Sequence, residues 1–114
     1  VKVIIAGSRA IYDSALIERA VADSGFNITT VVCGDAHGAD RLGDEWAKAR
    51  NIEVLHFPAE WHKYGKSAGY KRNLLMGEAA DAAVVVRKGM SKGSTHMVQI
   101  MRRMGKPVFV QDIP

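Results

Sequence analysis

The sequence predicts an α/β fold of three layers, with helices on both faces of a five-stranded parallel sheet. Three observations carry that expectation. Five short Val/Ile-rich runs recur along the 114 residues. These runs do not alternate apolar with polar residues, which marks strands covered on both faces. Between them, apolar residues return every three or four positions, the spacing of one helix face.

The first strand is expected over Lys2–Ala6, and Asp13 or Ser14 can cap the helix after it. A second strand spans Thr29–Cys33. Ala39, Leu42, Trp46 and Ala49 then line one helix face, and Asn51 stands where a left-handed residue ends such a helix. The third strand covers Glu53–Phe57, and a long loop, Pro58–Ala68, leads to a helix holding Arg72 and Asn73. A fourth strand covers Ala82–Val86. Met97, Ile100, Met101 and Met104 trace the last helix, Gly105 ends it, and Pro107–Val110 is the fifth strand. The methionine stripe reads as core; on an outward-facing helix it would instead form a homodimer interface.

One domain over residues 1–114 accommodates all of this and is long enough to bury a core. No apolar run approaches the roughly 20 residues of a membrane span. Val1 opens directly in a strand pattern rather than in a basic-then-apolar leader. The lone Cys33 excludes an internal disulfide framework, fits a reducing cytoplasm and reads as a small buried hydrophobe. A net charge of +4 suits an anionic ligand. His62, Lys63, Lys66, Lys71 and Arg72 cluster among Trp61, Tyr64 and Tyr70, a run that most often forms a solvated face. His37, His56, His62, His96 and Cys33 show no metal-ligand spacing. Neither a metal nor a cofactor is expected.

Right-handed crossovers put every strand-to-helix turn on one edge of a parallel sheet, where ligands of such folds bind. Gly7-Ser8-Arg9 ends the first strand with a sharp turn, a hydroxyl and a planar cationic fork. In the second turn Gly34 and Gly38 flank Asp35, and Asp40 follows in the first helical turn. Free amides there favour an anion, yet the two carboxylates oppose one. Asp40 reads equally as a group satisfying the helix's own amides. In the third turn Gly65-Lys66-Ser67 imitates a Walker A ending, but Glu60 stands where its earlier glycine belongs. Trp61 or Tyr64 could stack on a base there, with Arg72 reaching an anion; the competing explanation is that Trp61 packs the loop down and Arg72 sits in water. The fourth turn has the strongest anion chemistry. Ser91, Gly93, Ser94 and Thr95 bring hydroxyls and a flexible backbone to a helix start, with Arg87, Lys88 and Lys92 nearby. Helix capping by Ser91 or Ser94 is the competing explanation.

Taken together, GSR (Gly7–Arg9), CGDAHGAD (Cys33–Asp40), FPAEW (Phe57–Trp61), YGKSAGYKRN (Tyr64–Asn73), AAD (Ala79–Asp81) and SKGST (Ser91–Thr95) resemble the SLOG superfamily. This is a Rossmann-like group with DprA-type and LOG-type members, and the nearest likeness is to its small YpsA-related branch. The resemblance implies a single Rossmann-like domain that binds nucleotides or nucleotide-derived ligands across the strand ends. Gly93-Ser94-Thr95 looks like the end of the phosphate turn of LOG-type enzymes, which cleave an N-glycosidic bond in a nucleoside monophosphate. Their glutamate two residues after the threonine is Met97 here, so that role does not carry over. Asp35 replaces a glycine of the branch, whereas Asp40 matches its pattern.

The leading expectation is a domain that binds a nucleotide or nucleotide-derived ligand, ADP-ribose-like or a nucleoside phosphate, at the carboxyl edge of the sheet, acting as a sensor, sequestering protein or partner-dependent module. Arg9, Gly93, Ser94 and Thr95 would hold phosphate, with Gly7, Ser8 and Ser91 also contacting the ligand. The second turn, with Gly34, Gly38 and Asp40, would face sugar hydroxyls or a base edge, Trp61 or Tyr64 would face a base, and Arg72, beside Asn73, would make a second anion contact. The alternative is an N-glycoside hydrolase or transferase using Asp40 or Asp35. A third reading, single-stranded nucleic-acid binding, is disfavoured by the moderate charge and small aromatic content.

Overall fold

The computed structural model describes residues 1–34, 38–89 and 91–114. The elements run β1 (Lys2–Gly7), α1 (Ser14–Ser24), β2 (Thr30–Cys33), α2 (Ala39–Ala49), β3 (Glu53–His56) and α3 (Trp61–Tyr64). A 3-10 turn (Gly65–Ser67) then leads into α4 (Ala68–Ala79), β4 (Ala82–Lys88), α5 (Lys92–Arg103) and β5 (Val108–Ile113). The five strands form one parallel sheet in the order β3-β2-β1-β4-β5.

The continuous apolar runs form strands because both faces of the sheet centre are covered. Val3 and Ile5 of β1 point with Val31, Val84 and Val86 into a core under α1 and α2. Ile4 and Ala6 point the other way with Val32, Ala83 and Val85, into a core under α4 and α5. Expectation and structure part at the sheet edges. In β3, Glu53 and His56 are exposed, and β5 contains no fully buried residue. An edge strand has a neighbour on one side only, so its covering helices reach it incompletely.

Helix ends follow local chemistry. The Asp13 side chain accepts from the Ala15 amide at 3.0 Å and caps α1. Asn51, after α2, is the single non-glycine residue at positive φ (56°) among the described residues. Met97, Ile100 and Met101 lie in the core and hold α5 to the sheet, while Met104 at the end of the stripe is exposed. The stretch read as a long loop is instead partly helical: the Lys63 and Tyr64 amides donate to the Glu60 carbonyl, and the Ser67 hydroxyl donates to Tyr64 O. Among the described residues no helix is long and apolar enough to cross a membrane, and no His/Cys/Asp/Glu group could hold a metal ion.

Candidate functional site

The strand order places the topological switch point between β1 and β4, whose following connections leave in opposite directions across the sheet. A cleft of about 570 Å³ opens there, beyond the carboxyl ends of the strands.

Its inner wall is backbone. Gly7 ends β1 opposite Val86, and a β-carbon there would collide with the Val86 carbonyl and lie 2.8 Å from the Ala39 side chain. Glycine at this point therefore serves the close approach of β1, β4 and α2. Ser8 is buried, and its hydroxyl accepts from the Lys88 amide at 2.9 Å. That bond joins the turn after β1 to the end of β4. Gly38 adopts φ 75°, and the Ala39 amide donates to Ser8 O at 3.3 Å, locking the second turn against the first. Asp40 is buried in the first turn of α2, lines the cleft and accepts from the Gly7 amide at 3.3 Å. The Cys33 thiol donates to Asp40 O at 3.3 Å from within the core.

A second strut runs through the cleft wall. Arg72 Nη1 donates to the Gly34 carbonyl and, at 3.4 Å, to Phe57 O, while its Nε donates to Asn73 Oδ1 at 3.0 Å. Asn73 is buried and passes the link on, donating from Nδ2 to Gly93 O at 3.3 Å. A β-carbon on Gly34 would lie 2.7 Å from Arg72 Nη1 and 2.9 Å from Asp40 Oδ2. The space for a guanidinium and a carboxylate therefore explains that glycine.

The fourth turn is organised differently. Ser91 occupies the N-cap position of α5 but makes no side-chain cap bond. Its hydroxyl donates instead to the buried Ser94 hydroxyl at 2.7 Å. The competing capping explanation thus loses its hydroxyls, and the first amides of α5 have no side-chain cap. Gly93 has no structural reason to be glycine: its φ is not positive, and a β-carbon there would meet nothing within 4 Å. It lines the cleft.

Charge around the cleft is one-sided. Arg9, Lys66, Arg72, Lys88 and Lys92 line it, against Asp40 as the one carboxylate among the described lining residues. The floor is apolar, made of Ala6, Met76 and Met97. Trp61 stands at the side, about half exposed.

Of the residues singled out in the sequence, Gly7, Ser8, Arg9, Asp40, Trp61, Arg72, Asn73, Ser91, Gly93 and Ser94 all border this cleft. Gly34 and Gly38 lie behind it as packing points. Asp35, the other proposed catalytic carboxylate, lies outside the described residues. Thr95 departs from expectation. It faces a neighbouring recess of about 490 Å³, where its hydroxyl accepts from Arg87 Nη1 at 3.5 Å. With 3.6 residues per turn, Thr95 is rotated about 100° from Ser94 and cannot share its direction.

Sequence reasoning missed Tyr70 and Met76 as lining residues and noted Lys88 only as a neighbour of the fourth turn. Lys88 reaches the rim because β4 runs two residues beyond the apolar pattern, pairing Lys88 with Ile113. A strand end set by an edge partner leaves no local signal. Tyr70 and Met76 are spaced six apart on α4, where periodicity does not separate core from cleft.

Comparison with known proteins agrees with this frame. A family model described as YAcAr, "YspA, cpYpsA-related SLOG family", matches residues 1–64, from β1 through α3. The chain is similar to the Gene 61 protein of Mycobacterium phage D29, with 34% identity over 118 residues, spanning 95% of this chain and 94% of that protein. No solved structure matches.

Proposed function

Because the chain belongs to the YspA, cpYpsA-related SLOG family, we propose that it binds a nucleotide or nucleotide-derived ligand in the switch-point cleft, as a sensor, sequestering protein or partner-dependent module. The observation that carries this reading is the charge of the cleft: among the described residues, five cations and one carboxylate surround an apolar floor. Arg9, Lys88 and Lys92 attract the phosphate, and the amides of the first turn of α5 receive it. Gly93 leaves the space that a methyl would occupy. Asp40 faces the sugar as an acceptor, the role carboxylates play beside ribose in related folds. Trp61 offers its exposed ring to the base.

A thermal-shift panel of nucleoside mono- and diphosphates tests the proposal. A ligand at 100 times its dissociation constant stabilises the chain by about 2.7 kcal/mol, which raises Tm by roughly 10 °C. No shift with any nucleotide at millimolar concentration would reject it.

One observation supports a hydrolytic alternative, in which the chain cleaves the N-glycosidic bond. Asp40 is a buried carboxylate on the cleft wall, placed to steady an oxocarbenium-like state. Met97 on the floor weighs against it, since a thioether supplies neither proton nor negative charge. Chromatography after incubation with nucleoside monophosphates separates the two readings: free base that vanishes in Asp40→Asn means turnover.

A further inference from the structure

Helix α4 carries two stripes of identical spacing. Asn73, Met76, Gly77 and Ala80 face inward and are buried; a β-carbon on Gly77 would lie 2.7 Å from Ile100 Cγ2, so α5 packs closely on that side. Two residues earlier runs a matching set, Lys71, Leu74, Leu75 and Glu78, all exposed. A shift of two residues is a rotation of about 200°, so this second stripe looks away from the sheet. Leu74 and Leu75 are 45% and 53% exposed, against 1% for the adjoining Met76. A helix that is apolar on both sides belongs between two covers. Among the described residues, nothing covers the outer stripe.

Its charges indicate the missing cover. Lys71 and Glu78 stand equally far, roughly 5 Å along the axis, from the midpoint between the two leucines. A two-fold axis through that midpoint lays α4 antiparallel on a second α4. Leu74 then meets the partner's Leu75, and each Lys71 meets the partner's Glu78. A parallel pair would instead set lysine against lysine and glutamate against glutamate. Neither residue is in an ion pair within the chain among the described residues. Lys71 Nζ lies 4.7 Å over the Tyr64 ring and remains exposed. Exposed Tyr70, one turn before Leu74, and Met104, beside Gly77, widen the apolar centre.

We propose that the outer face of α4 is a self-association surface, on which two copies of the chain pair antiparallel about Leu74 and Leu75, with two Lys71–Glu78 bridges setting the register. Burial of the leucines supplies the attraction, and the charges select the orientation. The α5 methionines take no part, except Met104 at the border. This pairing is independent of what the switch-point cleft binds.

Sedimentation velocity over about 1–300 μM is expected to show monomer passing to dimer, because one helix pair with its flanks falls at the small end of specific interfaces. Lys71→Glu or Glu78→Lys alone opposes like charges at both ends and should weaken the dimer at least about ten-fold. The chain carrying both exchanges regains both bridges and should return to within about three-fold of the wild type. Both exchanges suit the α4 dipole, so circular dichroism should show the helix intact. Leu75→Asp should leave only monomer. A wild type that stays monomeric throughout would overturn the inference and leave this face to a different partner. A dimer indifferent to Leu75→Asp, or single exchanges that the double exchange fails to rescue, would overturn it as well. If an exchanged chain does not fold, isotope-filtered NMR of the wild type decides: the Leu74 methyls must contact the Leu75 methyls of the second copy, and a dimer without those contacts refutes the pairing.

Discussion

The Asp40 carboxylate accepts the Gly7 amide at 3.3 Å, joining the end of the first strand to the first turn of the second helix. One side chain thus closes the inner corner of the cleft and presents negative charge to an otherwise cationic hollow. Asp40→Asn keeps an acceptor for Gly7 and removes the charge. Stability should change by less than about 1 kcal/mol, while affinity for a ribonucleotide falls about ten-fold, the loss of one charge-assisted hydrogen bond. Unfolding curves and titrations read both numbers. Unchanged affinity would remove Asp40 from the sugar site.

Gly93 separates binding from stability. Its position is helical and a β-carbon there meets open space, so Gly93→Ala should stabilise the unliganded chain by roughly 0.4–1 kcal/mol. The same methyl faces the cleft and should weaken phosphate binding. A variant with higher Tm and undiminished affinity would contradict the role given to this glycine.

Arg72 is expected to act through the fold. It ties Gly34, Phe57 and Asn73 together, and Asn73 continues to Gly93. Arg72→Ala should cost about 2–3 kcal/mol in denaturant unfolding, since several carbonyls lose a charged donor. Arg72→Lys should recover little, because one ammonium cannot span the forked geometry. A loss below about 0.5 kcal/mol would show the strut to be incidental.

His96 predicts a pH response. Burial first, then Arg103, lowers its pKa from the ordinary 6.5. The unfolded chain therefore binds the proton more readily than the folded one. The His96 contribution is complete above 6.5 and is lost as pH falls through the lower folded value. His96→Gln should flatten the stability–pH curve in that window. An NMR titration placing the folded pKa above 6.5 would reverse the sign and refute this.

Much of the fold was legible because β1, β2 and β4 are unbroken apolar runs, and such runs form strands wherever helices cover both faces. The site was legible where the backbone itself dictates residue type, as at Gly7 and Gly38. Three things were hidden. Arg72 and Asn73 border the cleft, but the partners that also tie them into the fold, Gly34 after β2, Phe57 after β3 and Gly93 on α5, lie far along the chain. The rim position of Lys88 depends on pairing with β5. Thr95 sits beside Ser94 in sequence, and helix geometry alone turns it into the neighbouring recess.

Amide NMR during titration with ADP tests the central claim most directly. Saturable shifts at Gly93, Ser94 and Arg9, accompanied by movement of the Trp61 indole signal, are the predicted result. Shifts confined to other surfaces, or none up to millimolar ADP, would contradict it.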